Sequence, residues 1–419
     1  MRDGGVCDDG WGVLGSPSMG RLLQAVLAGD GGRLVSWTLD QVDRLPGEAT
    51  TAAYLVLAEW PLHDGGTRTD EELIGVTARA GGPDESDRIA RVFTEQGREV
   101  VAWRYPHDPE LPGLRTAAFA SAVAGLLVER QLAPPDLGRD DVVLQMVTYR
   151  PRRRAVVRAD LPRYGLTYYL KAMRPSRVTM TLERYRMLRD HGIPVADIVA
   201  TTSDAVIVMP ALPGRPLASA LFDPQPPVHG QQIVDLLDAL PGSIRSLPRR
   251  RPWADHVAHF ADVAASALPG ERPRLQWMVQ TISSGLAGIP PGDEAIHGDF
   301  YEAQVFVGDG RITGLLDIDT IGPGRRADDL GCLLAHLSTV QGMDATQADR
   351  LRRLIDAWLP VFDHRVDPIE LRLRAAAVSI SLATGPFRGQ ERDWPATTRR
   401  ILDAAEGWIT QASRMSPLR

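Results

Sequence analysis

Residues 294–319 read EAIHGDFYEAQVFVGDGRITGLLDID. The runs QVFV and RITGLL flank Asp309-Gly310, a dipeptide that favours the tight two-residue turn of a β-hairpin. A hairpin folded there carries the chain back to where it started. It therefore returns Asp317, eighteen residues after Asp299, to the neighbourhood of the His297-Gly298-Asp299 stretch. Two acidic positions far apart in sequence are thus predicted to lie close together in space.

Upstream, VVLQMVTYR (142–150), PRRRAVVRADL (151–161) and LTYYLKAM (166–173) are three β-rich runs joined by turns, which predicts an antiparallel meander. TMTLERYRMLRDHG (179–192) then reads as a helix ending at Gly192, with basic residues in its last turn as the helix dipole favours. Ala205–Met209 is a short apolar strand leading into the Pro/Gly-rich connector PALPGRPL (210–217). Beyond it, apolar residues at helical spacing predict helices over 231–247, 254–267, 273–287, 328–340, 346–361, 368–383 and 395–412. Towards the start, the Gly- and Asp-rich residues 1–18 read as disordered. Residues 19–138 read as a small α/β unit with strands Ala53–Trp60, Leu73–Arg79 and Arg98–Trp103 and a helix over Ala117–Leu132. APPDLGRDD (133–141) is the expected linker. The expected domains are therefore 19–138, 139–212 and 213–419.

Composition narrows the function. Of 419 residues, 44% are hydrophobic and 24% charged, ordinary for a globular protein. A net charge of −6 argues against nucleic-acid binding, which needs a basic face. No run approaches the 18 apolar residues of a membrane span. The opening MRDGGVCDDGWG lacks the pattern of a secretory signal, and Cys7 and Cys332 have no metal-ligand spacing. A reduced, cytoplasmic setting is expected. The sharpest feature is that 46 of the 47 basic residues are arginine, leaving the single lysine Lys171. Arginine matches lysine in charge but offers a broad planar fork in place of a compact ammonium, so a position that keeps lysine alone suggests a chemical requirement. A chance surviving surface lysine is the plain alternative.

Protein kinases carry a catalytic loop H-R-D-x-x-x-x-N followed downstream by a magnesium-binding Asp. Here HGDFYEAQ and DID stand in those places. At these residues, from about Asp140 to near the C-terminus, the sequence resembles the aminoglycoside phosphotransferase and choline kinase family. The resemblance implies a bilobal protein-kinase-like α+β fold, with an antiparallel β N-lobe and a helical C-lobe, preceded here by the extra N-terminal unit. It implies ATP and Mg²⁺ as cofactors and a small-molecule hydroxyl as acceptor. By that likeness Asp299 is the catalytic base, His297 braces the loop, Asp317 is the principal magnesium ligand and Asp319 supports the metal site. Lys171 falls where the family keeps its phosphate-binding lysine, and Glu183 would be its ion-pair partner. Met209, Pro210, Ala211 and Leu212 would form the hinge against adenine, and Asp329 would tie down the catalytic loop.

Two departures stand out. Gln304 occupies the place of the usual Asn, one methylene longer, as catalytic-loop amide and second metal ligand. The phosphate-covering turn TYRPRRRAVV has no glycine; Arg152, Arg153 and Arg154 could reach phosphates from it, with Arg153 the representative candidate, or form a solvated arginine turn. Single motifs have plain alternatives: DID also suits the DxD metal site of a glycosyltransferase, Asp328 or Asp329 could cap a helix, and Glu183 could be an ordinary surface residue. The order of strand lysine, helix, hinge, HGD, hairpin and DID favours phosphotransfer. A nucleotide-binding regulatory module without turnover is the alternative, on the strength of Gln304 and the glycine-free turn. Residues 343–419 carry 10 Asp/Glu against 12 Arg, so no acidic excess marks a polycationic acceptor. PFRGQERDWP (386–395) looks like a piece of actinobacterial members of the family, expected to pack near the acceptor pocket. The N-terminal unit could contribute to the substrate site or hold two chains together as a homodimer.

Overall fold

The computed structural model describes residues 9–45, 47–84, 87, 90–95 and 97–415. Its contacts divide the chain into two compact units. The first comprises Met1–Thr179, Ile198–Ala211 and Arg388–Gln390; the second comprises Met180–Asp197, Leu212–Phe387 and Glu391–Arg419.

The first unit begins with α1 (Trp11–Leu14) and α2 (Met19–Ala28), followed by β1 (Arg33–Leu45), β2 (Ala49–Pro61), β3 (Thr67–Arg79), β4 (Arg91–Glu95) and β5 (Arg98–Arg104). The strands form one antiparallel sheet in the order β1-β2-β3-β5-β4. In α2, Met19, Leu22, Leu23, Val26 and Leu27 recur at the spacing of one helical face. That face packs on Tyr54, Val56, Ile74, Val76, Val100 and Ala102. Of the stretch read as disordered, residues 1–8, Cys7 included, lie outside the described residues. Residues 9–18 have a defined place: Val13 and Leu14 are buried, and Asp9 pairs with Arg44 at 2.8 Å.

Next come α3 (Leu114–Ala118), α4 (Ala120–Glu129), β6 (Val143–Arg150), β7 (Arg154–Leu161), β8 (Leu166–Met173), α5 (Pro175–Arg189), β9 (Ala200–Thr201) and β10 (Val206–Pro210). The second sheet is antiparallel in the order β6-β7-β8-β10-β9. One face is covered by α3 and α4, where Leu114, Val123 and Leu127 meet Ala155, Val157, Leu170, Ala172, Val206 and Val208. The helical stretch before residue 138 therefore completes the core of the second sheet, and both sheets belong to one unit.

The second unit holds β11 (Arg215–Pro216), α6 (Leu217–Ala220), α7 (Gly230–Asp238), α8 (Val257–Ala267), α9 (Arg272–Gly285), β12 (Glu294–Ile296), β13 (Val305–Gly308), β14 (Arg311–Leu315), β15 (Gly322–Gly324), α10 (Arg326–Ser338), α11 (Ala345–Arg365), α12 (Pro368–Leu382), α13 (Gly385–Arg388) and α14 (Trp394–Met415). The helix expected over 231–247 ends at Asp238, because Pro241 cannot continue it; a 3₁₀ turn follows at Gly242–Ser246. α12 is buried from Glu370 to Ser381, and its charged residues are paired, Arg372 with Asp363 at 2.6 Å and Arg374 with Glu370 at 2.7 Å. Unpaired charges would be too costly there. Among the described residues, no helix is long and apolar enough to cross a membrane.

Candidate active site

The HGD stretch leaves β12, which pairs with β15. Its backbone is fastened from beneath by one carboxylate. The His297 N–H donates to Asp329 Oδ2 at 2.8 Å and the Gly298 N–H to Asp329 Oδ1 at 2.7 Å, while Arg326 Nη1 donates to Oδ2 at 3.3 Å. Asp329 and His297 are both fully buried. Burial pushes the Asp329 carboxyl upward, and the Arg326 guanidinium and the two N–H donors act against it. Gly298 has φ +82, and a Cβ there would stand 2.6 Å from the Thr320 carbonyl oxygen, so a side chain at this point would force the loop and the DID segment apart. Replacing Asp329 by alanine leaves Arg326 and two N–H groups buried without this acceptor. Unfolding in urea should show a loss of roughly 3–5 kcal/mol, the usual cost of breaking a buried charge pair.

The hairpin forms as its turn dictates. Asp309 has φ +52 and Gly310 φ +70, and β13 pairs with β14 from Val305↔Leu315 to Gly308↔Arg311. The ladder runs on by one bond, Leu316 N–H to the Gln304 carbonyl at 2.8 Å. Asp317 is therefore the residue next to the backbone partner of Gln304. His297 adds a second tie, its Nε2 lying 2.8 Å from the Leu316 carbonyl oxygen, and Thr320 Oγ1 donates to the His297 carbonyl at 2.8 Å. Asp317 itself adopts the left-handed region, φ +49 and ψ +50, which Asp tolerates better than most residues. Asp299 and Asp317 are half-buried, and Gln304 is buried. The structure thus brings His297, Asp299, Gln304, Asp317 and Asp329 into one tied arrangement within the second unit.

Asp319 is engaged differently. Its Oδ1 accepts from Thr181 Oγ1 at 3.3 Å, and its carbonyl accepts from Arg184 Nη1 at 2.5 Å. The inward face of α5 is Thr181, Arg184, Tyr185 and Leu188, whereas Glu183 is exposed. A one-residue step on a helix rotates a side chain by about 100°, so of these two neighbours it is Arg184 that lies buried and Glu183 that is exposed. Thr181 and Arg184 are thus the α5 residues that brace the DID segment, and no local pattern singles them out.

In the first unit, Lys171 lies at the centre of the second sheet, paired with Val156 on β7 and Ile207 on β10. Strand alternation puts Leu170 and Ala172 against the α3–α4 core and Lys171 on the opposite face, with Arg154, Val156, Tyr169 and Met209. Lys171 is only 5% exposed, which rejects the reading of a stray surface lysine. Of the expected hinge, Met209 and Pro210 end β10, the Ala211 N–H donates to the Thr167 carbonyl at 3.1 Å, and the boundary between the units falls before Leu212. The three arginines of the β6–β7 turn separate. Arg152 is buried, Arg153 pairs with Asp43 at 2.9 Å, and Arg154 opens β7 on the Lys171 face.

Two further features escaped the sequence reading. Tyr301 stacks on His336 of α10, ring centroids 4.1 Å apart at 15°, and burial pulls the His336 imidazole down to about 4, so it is neutral. Glu302 is buried with Oε2 unpartnered among the described residues, and burial raises its carboxyl to about 7. Nothing short of the fold reveals these, since both depend on what α10 and α6 place around the loop.

An antiparallel β unit carrying a buried strand lysine and a helical unit carrying tied HGD and DID segments define a kinase-like phosphotransfer fold. The family model described as the phosphotransferase enzyme family matches residues 149–367, just over half of the chain, and the chain belongs to that family. No curated protein matches. Solved structures similar to the chain include a thermostable mutant of the aminoglycoside phosphotransferase APH(4)-Ia, at 15% identity over 68% of this chain and 98% of that one, with a TM-score of 0.48. An ethanolamine kinase of Plasmodium vivax is 12% identical over 70% and 90% of the two chains, with a TM-score of 0.47. The macrolide 2′-phosphotransferase MphH of Brachybacterium faecium is 19% identical over 68% and 98%, with a TM-score of 0.42.

Proposed function

We propose that the protein transfers the γ-phosphate of ATP, in the presence of Mg²⁺, to a hydroxyl of a small molecule. The observation that carries the reading is the burial of the only lysine on the face of the second sheet opposite α3 and α4, in a member of a phosphotransferase family. Lys171 would hold phosphate oxygens by a compact charge. Asp299 would accept the proton of the acceptor hydroxyl as its oxygen attacks, and the Asp329 clamp would keep that carboxylate in place.

The donor set fits magnesium. Mg²⁺ takes oxygen ligands and is held in such enzymes by one or two carboxylates together with substrate phosphates. Asp317 supplies the carboxylate and Gln304 an amide oxygen. Among the described residues no group of three His, Cys, Asp or Glu is gathered as a metal cage, and this mode of binding needs none. When bound, the ion neutralises charge on the transferring phosphoryl group. Asp319, whose carboxylate already accepts from Thr181, would orient the segment.

The acceptor is read from charge. With 10 acidic residues against 12 arginines over 343–419, a neutral sugar, an amino alcohol or a natural-product hydroxyl fits better than a polycation. The test uses an acyl-phosphate derivative of ATP, which places an electrophile beside any amine that contacts the phosphates. The α-amino group and Lys171 are the amines of this chain, and labelling is expected on Lys171, blocked by excess Mg·ATP. ADP release with a panel of hydroxyl compounds then identifies the acceptor. Slow labelling indifferent to ATP would overturn the assignment, and ATP binding with no turnover across the panel would favour a regulatory module.

A further inference from the structure

The β6–β7 turn is gripped by the N-terminal sheet and its loops. Arg152, at its tip, has φ +62 and is 3% exposed. Its N–H donates to Asp108 Oδ2 at 2.7 Å, its Nε to Glu110 Oε1 at 2.9 Å, and its Nη1 to Asp87. The guanidinium also lies over the Trp103 ring, 5.8 Å from its centroid. Asp108 further accepts from the Tyr149 hydroxyl at 2.7 Å, which in turn accepts from the Trp103 indole N–H at 2.9 Å. The grip extends to both sides of the tip: Gln41 Nε2 donates to the Tyr149 carbonyl at 2.9 Å, Asp43 pairs with Arg153, and Arg174 Nε donates to the Arg152 carbonyl at 2.7 Å.

We propose that the N-terminal sheet positions this turn for the phosphates of the nucleotide, with Arg152 as the positioning residue. The proposal rests on the nucleotide-binding reading above. In kinases the corresponding turn is glycine-rich and covers the phosphates. A mobile turn must be ordered when ligand binds, and that ordering subtracts from affinity. Here no glycine is present, and the left-handed tip is occupied by an arginine whose side chain is bound by Asp87 and Glu110 and whose backbone N–H is bound by Asp108. The turn is thus held before nucleotide arrives. The N-terminal sheet and its loops supply rigidity to this segment, and the Arg152 side chain is engaged by Asp87 and Glu110.

The test compares two ligands on the full chain, Mg·ATP and adenosine, by calorimetry, alongside amide exchange over residues 149–155. Arg152→Gly removes the grip while glycine accepts the left-handed backbone without strain. It should speed exchange across the turn and weaken Mg·ATP about ten-fold, leaving adenosine affinity unchanged. Arg152→Lys, which keeps a cation towards Asp87 and Glu110, should recover part of the loss. Asp108→Asn gives a milder version of the same split should the glycine variant fail to fold. Faster exchange with unaltered Mg·ATP binding would overturn the proposal, as would equal weakening of both ligands, the mark of general damage. A parent protein that binds neither ligand would overturn the nucleotide reading and this proposal with it. If it binds both but the variants show no split, the nucleotide reading stands and the positioning role falls.

Discussion

Asp299→Asn is expected to lower kcat by roughly 10²–10⁴, the usual worth of a general base, while folding and Mg·ATP affinity stay near those of the parent. The expectation rests on how the loop is built. Its fastening to Asp329 runs through the backbone N–H groups of His297 and Gly298, which an acid-to-amide change at 299 leaves in place. What changes is the capacity to accept a proton. ADP release with a turned-over acceptor measures the first part and calorimetry the second. Unchanged turnover would remove Asp299 from the mechanism.

The second large effect is expected at Asp317. Asparagine tolerates the left-handed backbone that Asp317 adopts, so Asp317→Asn isolates the charge from the conformation. With Asp317 as the carboxylate that would hold Mg²⁺, its loss should weaken Mg·ATP by roughly 10²–10⁴-fold, about 3–5 kcal/mol for breaking a charge pair. Binding measured with EDTA in place of magnesium should differ little between variant and parent. Equal Mg·ATP affinity in the two proteins would sink the ligand assignment.

How far the sequence reached depended on the range of the interactions involved. The hairpin and the proximity of Asp317 to the HGD stretch were legible because Asp309-Gly310 determines its own turn. The meander of β6, β7 and β8 and most helices of the second unit were legible because their apolar periodicity is strong. β1 was missed: RLVSWTLDQVDRL mixes apolar and polar residues, buries only Val42 fully and is interrupted by two register shifts, so no clean alternation survives. Lys171 was found by composition, and strand pairing then placed it. α5 shows the limit, since only packing determines that Thr181, Arg184, Tyr185 and Leu188 form its buried face. The arginine turn shows another. Three consecutive arginines look alike in sequence, and the acids that separate them come from residues 43, 87, 108 and 110, on strands and loops that no local pattern connects to it.

Asp329 and His336 lie seven residues apart on α10, two turns along one side of the same helix. The first ties down the start of the HGD loop and the second supports the Tyr301 ring just past Asp299. The loop is thus bolted at both ends to a single rod and has little freedom to adjust independently of it. That rod rests on α12 through Gly331, where an added Cβ would come 3.1 Å from the backbone nitrogen of Ala375. A methyl group at position 331 would require α10 or α12 to give by a few tenths of an ångström, and a shift of α10 would be passed to the HGD loop through Asp329. Under the proposed function, changes along the α10–α12 seam would therefore alter the rate from positions outside the HGD and DID segments.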